Sequence, residues 1–287
     1  TGYNYGGFHL NYGMQSATTP LSWQMISSSV LVFGENAFGL RFIPALFGFL
    51  YVIAFYFLIR HVYGKKYAMI SAALLSLFPF SISNIQNGAI LEPITIFFFV
   101  MCLLSLVGFF GERRRYVGIV WAMLMVFSNF PKAIIMLGML FIWETFNSLY
   151  KKRFNAKDFI ETCTWYAVAF IPSLIWAFAR QIIYGLKPFW FLLHPFERSL
   201  EVPFRVIEVL YSYGSTKQAA LFVIPSIYGL LLLFNKMKNG DFDVKNLDRL
   251  WMLMFVFIPI LLIMAKQGGA YTHSMIGVAM VILTTHA

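Results

Sequence analysis

Long apolar runs recur along the whole chain and limit what it can fold into. Each has the length with which a helix crosses a bilayer, about 17–25 residues for about 30 Å of hydrocarbon. Eight such runs and a ninth that begins near residue 272 lie between charged or Gly/Pro-rich segments. The eight are near 38–59, 67–85, 90–110, 116–130, 133–149, 159–180, 218–235 and 250–265. Because 60% of the residues are hydrophobic and only 12% are charged, the pattern predicts a polytopic membrane protein.

These runs are expected to be helices, because backbone groups in lipid must be hydrogen-bonded within their own segment and the alternation of barrel strands is absent. The predicted fold class is therefore all-α, an integral membrane helix bundle with about 8–9 transmembrane helices and additional interfacial helices. Four parts are expected. They are an extracytoplasmic loop with an amphipathic juxtamembrane helix (1–37), a transmembrane core (38–180), an extracytoplasmic loop with interfacial helices (181–217) and C-terminal transmembrane helices (218–287).

The basic residues predict the orientation of the bundle. Alternate assignment of the connections puts most of the 22 Lys and Arg residues on one face, including the turns "HVYGKK", "GERRR" and "YKKRFNAK". Short basic connections are cytoplasmic in membrane proteins. The net charge of +10 is thus attributed to the basic connections on the cytoplasmic face. A nucleic-acid partner is excluded because the basic residues do not cluster on a soluble domain.

The two cysteines, Cys102 and Cys163, both fall in apolar runs and form no disulfide or metal-binding pattern. External Asp and His residues with metal-ligand spacing are also missing from the sequence. No cofactor is predicted, and the need for a divalent metal stays open.

Glu92 is a carboxylate at the head of an apolar run, in "QNGAILEPITIFFFVMC". Two interpretations compete. Proline is favoured in the first turn of a helix and an acid there suits the positive end of the helix dipole, so Glu92 can be a structural residue of a helix start. An ionisable group near the membrane is costly, however, and is therefore a candidate functional residue.

Other ionisable residues fall on the same predicted external face. Lys132 lies in the tight turn of "SNFPKAIIML", and "MAKQGGAYTHSMIG" places Lys266, Tyr271 and His273 at another turn. Each also has a structural interpretation. A lysine at a span end commonly extends to the headgroups, and His273 and His9 can be interfacial histidines.

An ordered set of short elements leads up to Glu92. In chain order they are Thr19-Pro20-Leu21, Gly34, Phe38, Arg41, Pro44, Leu46-Phe47-Gly48, Tyr63-Gly64-Lys65-Lys66, Pro79 with Ser81 or Ser83, and Glu92. This order resembles the core of the polytopic glycosyltransferases of the C superfamily (GT-C). It is most similar to the branch that contains protein O-mannosyltransferases and the lipid A aminoarabinose transferase. More faintly, Pro131-Lys132 resembles a lysine turn of that family, and Lys266, Tyr271 and His273 resemble a late polar turn.

The chain also departs from the family pattern. An Arg-x-Asp that usually precedes the acidic span is replaced by Ala89-Ile90-Leu91-Glu92. The presumed catalytic acid of the family lies in an external loop ahead of the Pro-Leu element, and residues 1–19 contain no Asp or Glu. We expect either that the chain is a piece of a longer protein whose base lies upstream of Thr1 or that this protein lacks that base.

The resemblance implies an inverting transfer of a sugar from a polyprenyl-phosphate carrier to a protein, lipid or glycan acceptor on the extracytoplasmic side. It further implies a bacterial or archaeal plasma membrane. Lys132 and Lys266 are then candidates for binding the donor phosphate, and Glu92 is a supporting residue or a candidate base. Residues expected to line the cleft are His9, Arg41, Tyr271 and His273.

Two other classes of function stay open at this point. A catalytically inactive scaffold or binding subunit would fit a chain without the usual base. A transporter fits less well, because transporters carry ionisable groups near the midplane and in paired inverted halves, whereas here the polar residues lie toward one side.

Overall fold

The computed structural model describes residues 20–77, 92–150, 156–184, 217–239, 246–264 and 273–286. Within these ranges every regular element is helical, which confirms the all-α prediction for this part of the chain. One 3₁₀ turn, Gly111–Arg113, precedes the fifth α-helix. The α-helices are α1 (Pro20–Phe33), α2 (Ala37–Tyr63), α3 (Lys65–Ser76), α4 (Glu92–Leu106), α5 (Arg114–Ser128), α6 (Phe130–Tyr150), α7 (Ala156–Ala169), α8 (Ile171–Tyr184), α9 (Lys217–Lys238), α10 (Asn246–Met264) and α11 (His273–His286).

Helix α4 lies at the centre of the N-terminal helices. Twelve of its 15 residues are buried, and it packs against α2, α5 and α6. Phe98 of α4 stacks on Trp121 of α5 with ring centroids 5.9 Å apart, and Phe47 of α2 meets the edge of Phe97 at 5.3 Å. A helix with neighbours on all sides has no polar face, which explains why the run after Glu92 is apolar throughout.

The C-terminal helices attach to this group through α10 and α11. Gly229 of α9 approaches α11 so closely that a Cβ atom at Gly229 would lie 2.0 Å from the carbonyl oxygen of Leu283. Beside it, the Ser226 hydroxyl donates a 3.0 Å hydrogen bond to the Met280 carbonyl. Helix α11 also packs on α10 and α3, and α10 packs on α6. One hydrophobic core contains residues of α2 to α8, α10 and α11.

Helices occur within each of the nine predicted apolar runs, but their lengths differ. Two stretches of the described chain, Ala37–Tyr63 with 27 residues and Phe159–Ala179 with 21, are long and apolar enough to cross a membrane. Helices α4 and α5 are apolar but have 15 residues each, about 22 Å at 1.5 Å per residue. The count of 8–9 transmembrane helices stays a prediction.

The predicted run 159–180 is interrupted near its middle. Helix α7 ends at Ala169 and α8 begins at Ile171. Pro172 is the second residue of α8 and has no N–H to donate to the preceding turn, and its ring disfavours helical backbone in the residue before it. The proline therefore accounts for the break at Phe170.

Three helix ends that the predicted topology assigns to one face do lie together. The hydroxyl of Tyr63, at the end of α2, donates a hydrogen bond to the buried carboxylate of Asp248 in the first turn of α10. Trp251 Nε1 donates to the Tyr63 hydroxyl at 3.2 Å. His286 Nε2, at the end of α11, lies 3.2 Å from Asp248 Oδ1. Asp248 thus joins α2, α10 and α11 through side-chain hydrogen bonds.

Replacing Asp248 by alanine is expected to destabilise the bundle by about 1–3 kcal/mol, because the half-buried Tyr63 hydroxyl and His286 ring lose their shared acceptor. The measurement is thermal unfolding of the detergent-purified protein. Glu112→Ala is the matched control, since it also removes a carboxylate but from an exposed side chain, and it should change stability by less than about 0.5 kcal/mol. Equal melting temperatures for the two variants would contradict the assigned role of Asp248.

Candidate functional site

Glu92 is the first residue of α4, followed by Pro93. Both features predicted from "LEP" are present, namely a proline within the first helical turn and an acid near the positive end of the helix dipole. The Glu92 side chain is nevertheless only 7% exposed. A capping acid at a helix start can remain in solvent, so the burial of this carboxylate requires a further partner.

That partner is Lys132. Its Nζ forms an ion pair with Glu92 Oε1, and its side chain is 11% exposed. Lys132 is the third residue of α6, and only Asn129 separates α6 from the end of α5. The Asn129 carbonyl accepts a hydrogen bond from the Ala133 N–H at 2.9 Å, which begins α6 directly after the break. The tight turn predicted around Lys132 is therefore present.

The helix dipole favours one of these two charges and disfavours the other. A carboxylate in the first turn is stabilised by the helix dipole, whereas an ammonium in the first turn is disfavoured. Lys132 is therefore held at an unfavourable position by its pairing with Glu92 rather than by its own helix. Separating the pair would leave one buried charge uncompensated, which costs about 3–5 kcal/mol. The pair fixes the ends of α4 and α6 relative to each other.

Buried hydroxyl groups lie at the same helix ends. Thr95, three residues after Glu92, has its hydroxyl oxygen 3.1 Å from that of Ser128 at the end of α5. The Ser22 hydroxyl of α1 donates a 3.0 Å hydrogen bond to the Ser128 carbonyl. Both serines and Thr95 are fully buried. Helix α1 is thereby attached beside the ion pair, so four helices contribute polar groups to one region.

Sequence reasoning missed these hydroxyl residues. Ser22 follows the Pro20 element by two residues, and Thr95 is one helical turn from Glu92, so the spacing i, i+3 placed Thr95 on the face of Glu92. Serine and threonine are common in apolar helices, however, and without the contacts there was no reason to select these three. Asn129 is also buried, but the sequence indicated it only as part of a turn and not as a site residue.

The remaining predicted site residues are distributed differently. Arg41 lies in the second turn of α2 with an exposed side chain. His273 is the first residue of α11, and its side chain is outside the described part. His9, Lys266 and Tyr271 lie outside the described residues. Of the predicted set, the structure thus brings together Glu92 and Lys132.

No group of three or more His, Cys, Asp or Glu residues able to hold a metal ion occurs among the described residues. The chemistry available at the described site is that of one carboxylate, one ammonium group and neighbouring hydroxyls. Such a set can bind a phosphate or another anion through the ammonium group and orient a hydroxyl through the carboxylate.

Comparison with known proteins identifies the family of this chain and a solved structure with a similar fold. Residues 18–176, more than half of the chain, match the family described as dolichyl-phosphate-mannose-protein mannosyltransferase. The matched segment contains α1, Glu92 and Lys132. Among curated proteins, none matches the chain significantly.

The fold is similar to the crystal structure of ArnT from Cupriavidus metallidurans in the apo state. The TM-score is 0.63 at 14% sequence identity, and the alignment covers 94% of this chain and 49% of that one. The chain therefore spans about half the length of this solved structure. At this identity the similarity concerns the fold alone, and it supports the GT-C resemblance at that level.

Proposed function

Because the chain belongs to the family of dolichyl-phosphate-mannose-protein mannosyltransferases, we propose that it is part of a membrane glycosyltransferase that takes its sugar from a polyprenyl-phosphate carrier. The buried Glu92–Lys132 ion pair is the observation that carries this proposal. It supplies a fixed cation at the end of a helix bundle, where the phosphate of an amphiphilic donor can reach it while the polyprenyl tail stays in lipid.

In the proposed reaction, an acceptor hydroxyl oxygen attacks the anomeric carbon as the bond from that carbon to the phosphate oxygen breaks. The sugar is transferred with inversion, the acceptor proton passes to a base, and polyprenyl phosphate leaves with the bonding electrons. Negative charge grows on the phosphate during this step. A preorganised cation in a poorly hydrated site stabilises that charge more strongly than a cation in water. Lys132 would perform this task.

Glu92 is proposed as the positioning residue for Lys132. Because an ammonium group is disfavoured in the first turn of α6, the carboxylate is needed to hold it in place. Glu92 is also the candidate base for the acceptor hydroxyl, since a carboxylate within reach of that proton can accept it. Lys266, as a second phosphate-binding residue, and His9, Arg41, Tyr271 and His273, as residues lining the cleft, belong to the same proposal.

We place the site at the extracytoplasmic side, in a bacterial or archaeal plasma membrane. The choice of side follows from the positive-inside rule, because the basic turns lie at the opposite helix ends from Glu92 and Lys132. The acceptor is a hydroxyl group of a protein, lipid or glycan.

The direct test is a transfer assay in proteoliposomes that contain the protein. The donor is polyprenyl-phosphate mannose carrying a radioactive sugar, and the acceptors are protein, lipid and glycan fractions of the host envelope, supplied separately. We expect label to move from the carrier to one fraction, and no transfer when a nucleotide-linked mannose replaces the lipid-linked donor. Retention of label on the carrier with all three fractions would contradict the proposed function.

A further inference from the structure

Ser128, the last residue of α5, is contacted by two other helices beside the ion pair. Its hydroxyl oxygen lies 3.1 Å from the Thr95 hydroxyl oxygen of α4, and its carbonyl accepts a 3.0 Å hydrogen bond from the Ser22 hydroxyl of α1. All three side chains are fully buried. A buried hydroxyl group without a partner is costly, so these contacts offset the cost of burying the hydroxyls.

The Thr95 and Ser22 contacts differ from the common hydrogen bond of a hydroxyl in an apolar helix, which goes to a carbonyl of the same helix. Ser105 of α4 makes that common bond. Its hydroxyl, also fully buried, donates to the Met101 carbonyl at 3.0 Å, and such a bond fixes nothing outside the helix. The Thr95 and Ser22 hydroxyls reach α5 instead, so each restricts the position of the end of α5.

The position of Ser128 is passed on to Lys132 through a very short turn. The Ser128 hydroxyl donates a 2.8 Å hydrogen bond to the Met125 carbonyl, which leaves lone pairs of its oxygen for the Thr95 hydroxyl. Only Asn129 separates Ser128 from α6, and the Asn129 N–H donates to the same Met125 carbonyl at 3.2 Å. Lys132 follows in the first turn of α6. A displacement of Ser128 therefore displaces the Lys132 backbone.

Helix α4 thus holds the turn that carries Lys132 at two points. Glu92 pairs with the Lys132 ammonium group. Thr95, one helical turn later on the same face of α4, contacts Ser128 where that turn begins. The ion pair fixes a charge at the end of a long side chain, whereas the hydroxyl contact fixes the backbone from which this side chain extends. Together the two contacts define where the ammonium nitrogen lies.

From these contacts we infer that Thr95 and Ser22 are positioning residues for Lys132, which act by fixing Ser128 and with it the first turn of α6. For its effect on sugar transfer the inference rests on the proposed function, because the benefit of a preorganised cation depends on where it stands relative to the departing phosphate. A misplacement of about 1 Å can cost about 100-fold in rate. Loss of either hydroxyl should therefore slow transfer through the displacement of Lys132.

The first test follows the turn itself, without the transfer assay. Hydrogen-exchange mass spectrometry of the detergent-purified protein reports on the amides of residues 126–136, which include the α5–α6 turn. Thr95→Val removes the hydroxyl and keeps the shape of the side chain. Exchange in this segment should accelerate about fivefold, the factor that corresponds to one buried hydrogen bond. Thr95→Ser keeps the hydroxyl and should stay within about twofold of the unaltered protein.

Ser105→Ala is the matched control, because it removes a fully buried hydroxyl from the same helix, about 15 Å from Thr95 at 1.5 Å per residue. It should leave exchange in residues 126–136 within about twofold of the unaltered protein. Ser22→Ala, the same substitution at the α1 contact, should accelerate that exchange. Equal acceleration by Thr95→Val and Ser105→Ala would indicate general loosening of α4 and would overturn the inference. Unchanged exchange in Thr95→Val would overturn it as well.

The second test measures transfer from polyprenyl-phosphate mannose per folded protein. Thr95→Val should lower kcat/KM at least about tenfold, because Lys132 is displaced, and Thr95→Ser should restore most of it. In the Lys132→Met background, Thr95→Val should lower transfer by less than about twofold, since a residue that acts through Lys132 has no effect once Lys132 is absent. Fully additive losses would show that Thr95 acts independently of Lys132 and would contradict the positioning role.

The two tests separate this inference from the proposed function. If the unaltered protein transfers no sugar, the proposed function fails, and the exchange experiment still decides whether Thr95 fixes the turn that carries Lys132. If the unaltered protein and Thr95→Val transfer sugar equally well, the positioning role fails and the proposed function remains.

Discussion

Replacing Lys132 by methionine is expected to lower sugar transfer about 100-fold or more and to destabilise the protein by about 3–5 kcal/mol. The loss of transfer follows from removing a preorganised cation that acts on the departing phosphate. The loss of stability has a different cause, because the Glu92 carboxylate would remain buried without its ion-pair partner. Transfer from polyprenyl-phosphate mannose and thermal unfolding are measured on the same preparation.

The two effects can be separated by a second substitution. In the double variant Glu92→Gln, Lys132→Met neither charge remains, and replacing a buried ion pair by groups of similar size is often neutral for stability. We expect the melting temperature to return close to that of the unaltered protein while transfer stays at the level of Lys132→Met. Lys66→Met, which removes an exposed lysine at the opposite end of the helices, controls for a general effect of lost positive charge.

Recovery of transfer in the double variant would contradict a role for Lys132 in the reaction and would assign the pair to structure alone. Lys132→Arg distinguishes the remaining possibilities. Because it keeps the positive charge, it should retain more transfer than Lys132→Met. If phosphate binding is the main function of the ammonium group, Lys132→Arg should mainly raise the KM for the donor and change kcat less.

Replacing Gly229 by alanine is expected to destabilise the protein by about 2–3 kcal/mol or more. The added Cβ would lie 2.0 Å from the Leu283 carbonyl oxygen, so α9 and α11 must separate and lose packing along their contact. The intrinsic helix preference of alanine over glycine, about 1 kcal/mol, opposes this effect and is smaller. Thermal unfolding in detergent measures the result.

The matched control is Gly138→Ala in α6. Outside its own helix backbone, a Cβ at Gly138 meets no atom of the described residues within 4 Å. The helix preference of alanine should therefore dominate there, and stability should rise by about 0.5–1 kcal/mol. Glycine-to-alanine substitution is thus expected to lower stability in α9 and to raise it in α6. A neutral or stabilising Gly229→Ala would show that α9 and α11 are less closely packed than the structure has them.

Much of the architecture followed from the sequence. The predicted apolar runs each contain a helix, the tight turn at Lys132 is present, and Gly64 alone separates α2 from α3 within the predicted basic turn. These features are local, because they depend on apolar run length and on Pro, Gly and charged residues within a few positions. The break at Phe170 is local too, but the apolar composition of the run concealed the effect of Pro172.

The site was predictable only as separate residues. Glu92 and Lys132 could each be selected because an ionisable group near an apolar run is costly, and each also had a structural interpretation. Their ion pair joins residues 40 positions apart, and the Ser22 and Thr95 hydroxyls reach the same region through Ser128. No periodicity within one run indicates which helix ends meet.

By itself, the sequence determined that the protein is built for a lipid environment, that it is helical and approximately where its helices lie. It also determined the family resemblance. Each of these depends on apolar composition and short-range spacing. The tertiary structure alone decided that α4 is central, that Lys132 meets Glu92, that Asp248 joins three helix ends, and that Gly229 lies against Leu283. Those contacts depend on the matching of side-chain shape and charge between helices distant in the chain. That matching becomes defined only when the helices pack together.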